Sequence, residues 1–194
     1  MLHLVSQSPR RRELLTQLGV DFRVVDVDVP ERRDPQESPR AYVSRVARDK
    51  ARAGLAALAG VAGTAVLGAD TEVVLDDEVF GKPRDAAAAA AMLGRLSGRT
   101  HEVVSVAWLV DERGERCASC VSRVRFAALD DAAIAAYVAT GESFGKAGGY
   151  AIQGAGACLV EHLEGSYSGV MGLPLFETAK LLREAGIGLF AGTR

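Results

Sequence analysis

Cysteine is scarce in this chain, limited to Cys117, Cys120 and Cys158 among 194 residues. An odd count with no export signal fits a reducing cytosol, and at this length no disulfide staple is needed for folding. Aromatic residues are few as well, at 6%. With a net charge of −2, that scarcity argues against a protein whose main task is coating nucleic acid, which needs basic and stacking surfaces. No apolar run approaches the roughly 20 residues of a membrane span. In MLHLVSQSPRRR the basic run follows a very short apolar one, the reverse of a secretory signal. What remains is an ordinary globular composition, 48% hydrophobic and 25% charged, expected to form a single domain over 1–194.

Within that composition one acid stands out. In 65-AVLGADTEVVL-75 an apolar run, Ala65-Val66-Leu67, reads as a buried strand that stops at Gly68. Asp70 and Thr71 follow, and Val73-Val74-Leu75 resumes the sheet pattern. A carboxylate between core strands is expensive to bury unless a cation or hydrogen-bond donors meet it. Asp70 is therefore expected at a strand end facing a cleft, where it holds a metal or activates water.

The rest of the chain supplies partners. Leu2 to Val5 reads as a strand, and Ser8 with Pro9 opens a helix whose buried stripe is Leu14, Leu15 and Leu18, stopped by Gly19. A strand-to-helix turn with free N–H groups, Ser6, Ser8 and the run Arg10-Arg11-Arg12 is suited to phosphate. Ser8, Arg10 and Arg11 are assigned to the site and Arg12 to solvent. Asp26, Asp28 and Glu31 surround the end of a strand from Phe22 to Val27, either joining a metal site or simply solvated. The polar segment 32-RRDPQESPR-40 leads into a long helix, roughly Pro39 to Leu58, on which Lys50 has no distinguishing spacing. Asp76-Asp77 reads as a hairpin turn, and Lys82, preceding Pro83, must be extended.

Asp85 caps an alanine-rich helix through Leu96. Apolar runs at 101–110 and 117–129 flank a hairpin at 111–115, and the Cys117-x-x-Cys120 pair is read as small strand residues rather than zinc ligands. Asp130-Asp131 caps a helix through Ala139. The stretch 145-GKAGGYAIQGAG-156 has five glycines in twelve residues and matches neither a Walker loop nor G-x-G-x-x-G. It offers Lys146, Tyr150 and Gln153 as charge, stacking face and amide. A strand from Ala157 to Glu161 and a last helix from Pro174 to Ala185 complete the chain. Hairpins and crossovers intermingle, so the fold class is α/β or mixed α+β with a mixed sheet.

Arg10, Arg11, Lys50, Lys82 and Lys146 outnumber the cations a neutral metabolite needs, and a polyphosphate is the natural guest. Phosphoryl chemistry asks mainly for positioning and charge neutralisation, with a divalent ion held by carboxylates such as Asp70. The residue pattern thus points to a metal-dependent enzyme acting on a nucleotide phosphate.

Several segments then become recognisable as a set. Ser6-Gln7-Ser8-Pro9-Arg10-Arg11 with Glu13-Leu14-Leu15, Lys50-Ala51, Gly68-Ala69-Asp70-Thr71 and Gly81-Lys82-Pro83 occur in the first half. Leu96-Ser97-Gly98, Lys146-Ala147-Gly148, Tyr150-x-Ile152-Gln153-Gly154 and Gly172-Leu173-Pro174 follow. In this order, from residue 2 to about 190, they closely resemble the Maf family. The resemblance implies nucleoside triphosphate pyrophosphatase activity, a divalent cation (Mg²⁺ or Mn²⁺) and a cytoplasmic homodimer, while charge, aromatic content and the lack of a long apolar run argue against a nucleic-acid or membrane partner. It implies an elongated, curved mixed sheet flanked by helices, with the site in a cleft between two lobes. Asp70 matches the proton acceptor, and Ser8, Arg11, Lys50 and Lys82 match positions that contact phosphates.

One branch of the family prefers dTTP and UTP and carries Arg, Thr and Gln where this chain has Arg10, Thr71 and Gln153. A branch resembling a 7-methyl-GTP pyrophosphatase carries Trp, Gln and Glu there. The chemistry agrees, since Gln153 can both donate to and accept from the edge of uracil or thymine. Arg10 would repel a cationic methylated base. The family often has an acidic pair after the second strand, whereas this chain reads Val29-Pro30-Glu31. Pro30 cannot bind a metal, so Glu31 or Asp28 is expected to replace the pair, and the metal ligands assigned are Asp70 and Glu31. The alternative to catalysis is a nucleotide-sensing septum regulator that binds triphosphate without hydrolysing it.

Overall fold

The computed structural model describes residues 1–190; the last four residues of the domain expected over 1–194 lie outside the described residues. The chain begins with β1 (Leu2–Val5), α1 (Pro9–Gln17), β2 (Phe22–Val25) and the long α2 (Pro39–Ala57). A hairpin of β3 (Ala65–Leu75) and β4 (Glu78–Phe80) precedes α3 (Ala86–Leu96). The longest strands, β5 (Thr100–Asp111) and β6 (Gly114–Phe126), form a second hairpin. The remaining elements are α4 (Asp131–Ala139), β7 (Val160–Glu164), α5 (Tyr167–Met171) and α6 (Leu175–Glu184).

Local chemistry fixes many of these ends. The side chains of Ser38, Asp85 and Asp130 accept from the N–H groups of Ala41 (3.2 Å), Ala88 (2.7 Å) and Ala133 (2.7 Å), capping α2, α3 and α4. Asp76 and Asp77 take φ of 52° and 65°, the left-handed pair that a two-residue hairpin between twisted strands requires.

The strands form one mixed sheet in the order β2-β1-β3-β5-β6-β7, with β4 also on β3. β2, β1 and β3 run parallel, and every pairing beyond β3 is antiparallel. The register along β3 creates the opening that matters. β1 accompanies it only as far as Val5 opposite Gly68, and β4 joins the same edge only at Phe80 opposite Val73. Between them, Ala69 to Glu72 have no strand partner on that edge, while β5 pairs all of them on the other. This gap lies outside the carboxyl ends of the parallel strands, where open α/β sheets accommodate ligands.

Alternation along β3 divides the core. Ala65, Leu67 and Ala69 pack with Leu14 and Leu15 of α1 and Leu181 and Leu182 of α6. Further along the same face, Val73 and Leu75 pack with Leu93 and Leu96 of α3 and Ile134 of α4. Val74, on the opposite face, packs against Tyr42, Val43, Val46 and Ala47 of α2. Two lobes therefore share β3, and Thr71 lies at their junction. Among the described residues no helix is long and apolar enough to cross a membrane.

The mixed α/β class holds, and the differences from expectation have local causes. β3 does not stop at Gly68 but runs unbroken through Asp70. Gly68 instead admits α2, since a Cβ there would lie 2.4 Å from the Ala47 carbonyl oxygen and 2.6 Å from the Ala51 nitrogen. β6 ends at Phe126, short of the expected 129. The segment Ala155–Leu159 forms a 3₁₀ turn, so β7 starts at Val160 rather than Ala157. The short α5, capped by Ser166 on the Gly169 N–H at 3.0 Å, has too few residues to show a period in sequence.

Gly68→Ala is expected to lower stability by about 1–3 kcal/mol, because two backbone atoms must move to admit a methyl group. Gly94→Ala in α3, where the nearest atom lies at 3.9 Å, is expected to be neutral or mildly stabilising. Urea denaturation of both variants checks the contrast.

Candidate active site

Asp70 and Glu72 are two residues apart on β3 and so project from the same face, toward α2. Their exposures are only 5% and 8%. Lys50, on the face of α2 that Gly68 draws in, donates to Asp70 Oδ1 at 2.8 Å and to Glu31 Oε1 at 2.5 Å. Lys82 reaches Glu31 Oε2 at 3.4 Å. The result is a chain of alternating charge, Asp70–Lys50–Glu31–Lys82. Burial works to raise Glu31, and the two ammonium groups outweigh it, holding its carboxyl below the usual range. Glu72 has no hydrogen-bonded cation, and the more distant charges of Lys82 and Lys50 do not offset its burial. Burial first, then the charges of Asp70 and Glu31, push its carboxyl up to about 8. Asp70 Oδ2 and Glu72 Oε2 are both buried without a hydrogen-bond partner.

The opposite wall is the start of α1. Ser8 stands at the N-cap, but its hydroxyl caps nothing; its N–H donates to Ser6 Oγ at 3.1 Å. The hydroxyl and the free N–H groups of the first turn thus border the cleft, as an anion site requires. Arg11 Nε is held by the Gly172 carbonyl at 2.8 Å. Burial, then Arg11, lowers the pKa of Arg10; burial, then Arg10, lowers that of Lys146. These positive groups press on one another, and an anion placed among them relieves all of them.

The third wall is the glycine-rich loop. Glu142 accepts from Tyr137 Oη (2.9 Å) and from the N–H groups of Ala155 and Gly156 (3.0 Å each), pinning one end. Tyr150 pins the other, its hydroxyl 2.9 Å from His101 Nε2 and its ring edge-on to Phe126. The expected stacking face of Tyr150 is thereby consumed by the core, where the residue is 5% exposed. Lys146 is likewise tied down, donating to the carbonyls of Glu142 (2.6 Å) and Phe144 (3.4 Å). Gln153, between the pinned ends, is exposed and its amide borders the cleft. Thr71 Oγ1 lies 2.8 Å from Ser105 Oγ and 3.2 Å from the Gly172 carbonyl that also holds Arg11.

Ser8, Arg10, Arg11, Glu31, Lys50, Asp70, Thr71, Lys82 and Gln153 all line this single cleft of about 650 Å³. Asp28 lines it too, whereas Arg12 does not. Sequence reasoning passed over Glu72, the Gly172 carbonyl and the loop anchor Glu142. Only Glu72 carried a signal, an acid two positions from Asp70 in a strand otherwise buried. For a divalent cation the fit rests on the two partnerless oxygens of Asp70 and Glu72. Among the described residues no group of three or more His, Cys, Asp and Glu side chains forms a ready-made cage. Magnesium needs none, being held by one or two carboxylates and substrate phosphate oxygens.

Comparison with known proteins gives a match to a family described as "Maf-like protein" over residues 1–185. A protein of Xanthomonas campestris pv. campestris named dTTP/UTP pyrophosphatase is 57% identical over 188 residues, covering 96% of this chain and 99% of that protein. One from Xylella fastidiosa named nucleoside triphosphate pyrophosphatase is 55% identical over 183 residues, covering 94% and 97%. Among solved structures, a nucleoside-triphosphatase / dITP/XTP pyrophosphatase from Mycobacterium abscessus aligns at a TM-score of 0.44 and 23% identity, over 64% of this chain and 73% of that one.

The loop anchor has a pH signature. Burial pushes His101 down to about 4, whereas an unfolded histidine titrates near ~6.5. Between those values the unfolded chain binds more protons, so this contribution to stability is present above the upper value and lost as pH falls toward the lower. The stability difference between the wild type and His101→Gln, followed by chemical denaturation, is expected to narrow as pH is lowered from 7 to 4. Parallel curves would contradict it.

Proposed function

The chain belongs to the Maf-like protein family, and we propose that it hydrolyses dTTP and UTP to the monophosphate and pyrophosphate. The observation that carries this reading is the division of one cleft into two electrostatic halves. Arg10, Arg11, Lys82 and Lys146 border a space suited to a polyphosphate, and on its floor Asp70 keeps a buried carboxylate oxygen without a partner. The close relatives named above support the same activity.

In this reading the triphosphate lies against the start of α1. Ser8, Arg11 and Lys82 take phosphate oxygens, and Lys50 exchanges its contact with Glu31 for one with phosphate. Asp70 orients a water toward the α-phosphorus and takes up its proton as the new P–O bond forms. The α–β anhydride bond breaks, and pyrophosphate leaves with its negative charge neutralised by the surrounding cations. A divalent cation held by Asp70 would add charge neutralisation on the phosphates and acidify the attacking water. Gln153 meets the base edge, donating to the O4 carbonyl and accepting from N3–H. Thr71 contributes through the Gly172 carbonyl, which it shares with Arg11.

Incubation with UTP, dTTP and 7-methyl-GTP in Mg²⁺ or Mn²⁺ is expected to release pyrophosphate from the first two. Orthophosphate instead would indicate another phosphatase class, and binding of dTTP without turnover would favour a nucleotide sensor. Asp70→Asn is expected to lower kcat by about 10²–10⁴-fold while dTTP still binds; near-normal turnover removes Asp70 from the mechanism. Gln153→Glu, which can only accept when ionised, is expected to cut kcat/KM for UTP by at least about tenfold.

A further inference from the structure

Nothing in the reaction above uses Glu72, yet its placement is costly. It lies within the stretch of β3 that has lost β1 and not yet met β4, borders the cleft, and is only 8% exposed. On the same face of the strand, Val66 and Val74 show what the core admits there, namely apolar side chains. A buried carboxylate with an unpartnered oxygen calls for an explanation, and at the border of a cleft a ligand from outside the fold supplies one.

The surrounding ammonium groups do not meet it. Lys50 is engaged by Asp70 Oδ1 and Glu31 Oε1, and Lys82 by Glu31 Oε2. Both oxygens of Glu31 therefore carry a lysine, while Asp70 Oδ2 and Glu72 Oε2 are buried and open. Two such acceptors from one strand face bring negative charge together, and of the two carboxylates only Asp70 has a hydrogen-bonded cation, Lys50. Hard divalent cations seek that donor set, filling their remaining positions with water and phosphate oxygens.

We propose that Glu72, with Asp70, holds the divalent cation of this site, and that Glu31 is the seat of the two lysines rather than a metal ligand. The proposal rests on the pyrophosphatase reading for its purpose, although not for its geometry. It assigns the carboxylates of the cleft separate tasks. Glu31 stores Lys50 and Lys82 until phosphate arrives, and the Asp70–Glu72 pair takes the cation independently of them.

The test is uptake of Mn²⁺ alone by the metal-free full chain, measured from the electron paramagnetic resonance signal of free Mn²⁺ near pH 8. Glu72→Gln is expected to weaken uptake by at least about tenfold, and Glu31→Gln to leave it within about twofold. Circular dichroism and the thermal midpoint of Glu72→Gln separate lost ligation from lost folding. If that variant does not fold, Glu72→Asp replaces it and is expected to retain part of the uptake. Wild-type uptake by Glu72→Gln, no uptake by the wild type, or loss confined to Glu31→Gln would overturn the proposal. Pyrophosphate release from dTTP is measured on the same wild-type sample. An active wild type with unchanged Mn²⁺ uptake in Glu72→Gln defeats this inference alone, whereas an inert wild type defeats the pyrophosphatase reading and leaves the ligand question to the Mn²⁺ result.

Discussion

The ammonium of Lys50, 2.8 Å from Asp70 and 2.5 Å from Glu31, is the interaction on which the cleft depends. It joins α2, β3 and the segment after β2, which otherwise meet around an open strand edge. The pair forms because Gly68 lets the backbone of α2 approach β3 closely at Ala47 and Ala51, which brings Lys50 over Asp70. Removing one partner of such a buried pair typically costs about 3–5 kcal/mol, most of it the penalty of the charge left behind. A small residue two positions before the acid is thus as much a part of the site as the acid.

The same geometry organises charge for use. Carboxylates cluster on the α2 side of β3, where Lys50 of α2 and Lys82 meet Glu31, and the arginines of α1 and Lys146 of the loop lie on the other sides. Positive groups that raise one another's energy are stabilised by an anion, and partnerless carboxylate oxygens by a cation. A nucleoside triphosphate with a divalent ion supplies both. The double anchorage of the glycine-rich loop, at Glu142 and at the His101–Tyr150 contact, holds Gln153 at the rim without using its amide.

Much of this was legible in the sequence because it is local. Ser38-Pro39, Asp85 and Asp130 mark helix starts by capping chemistry, Pro9 marks one by its place at the first helical position, and Asp76-Asp77 marks a hairpin. The ordered motifs from Ser6 to Pro174 named the cleft residues before any of them could be placed. What escaped was tertiary. Gly68 reads as a strand end, since glycine weakens strands, and only the position of α2 shows that it serves close packing. Tyr150 reads as a stacking surface until His101 and Phe126 are seen to enclose it. Glu72 disappears into a β-branched run, and its burial becomes visible only when β1 and β4 are seen to leave that edge open. Lys50 has the spacing of any solvated helix residue, so only the family resemblance marked it, and packing shows which carboxylates it meets.

The central claim is that Asp70 directs water to the α-phosphorus of a pyrimidine nucleoside triphosphate held by the cations opposite. Hydrolysis of dTTP in H₂¹⁸O, with the products separated and weighed by mass spectrometry, tests it most directly. The label is expected in dTMP, with unlabelled pyrophosphate; label in pyrophosphate, or release of orthophosphate in its place, would contradict it.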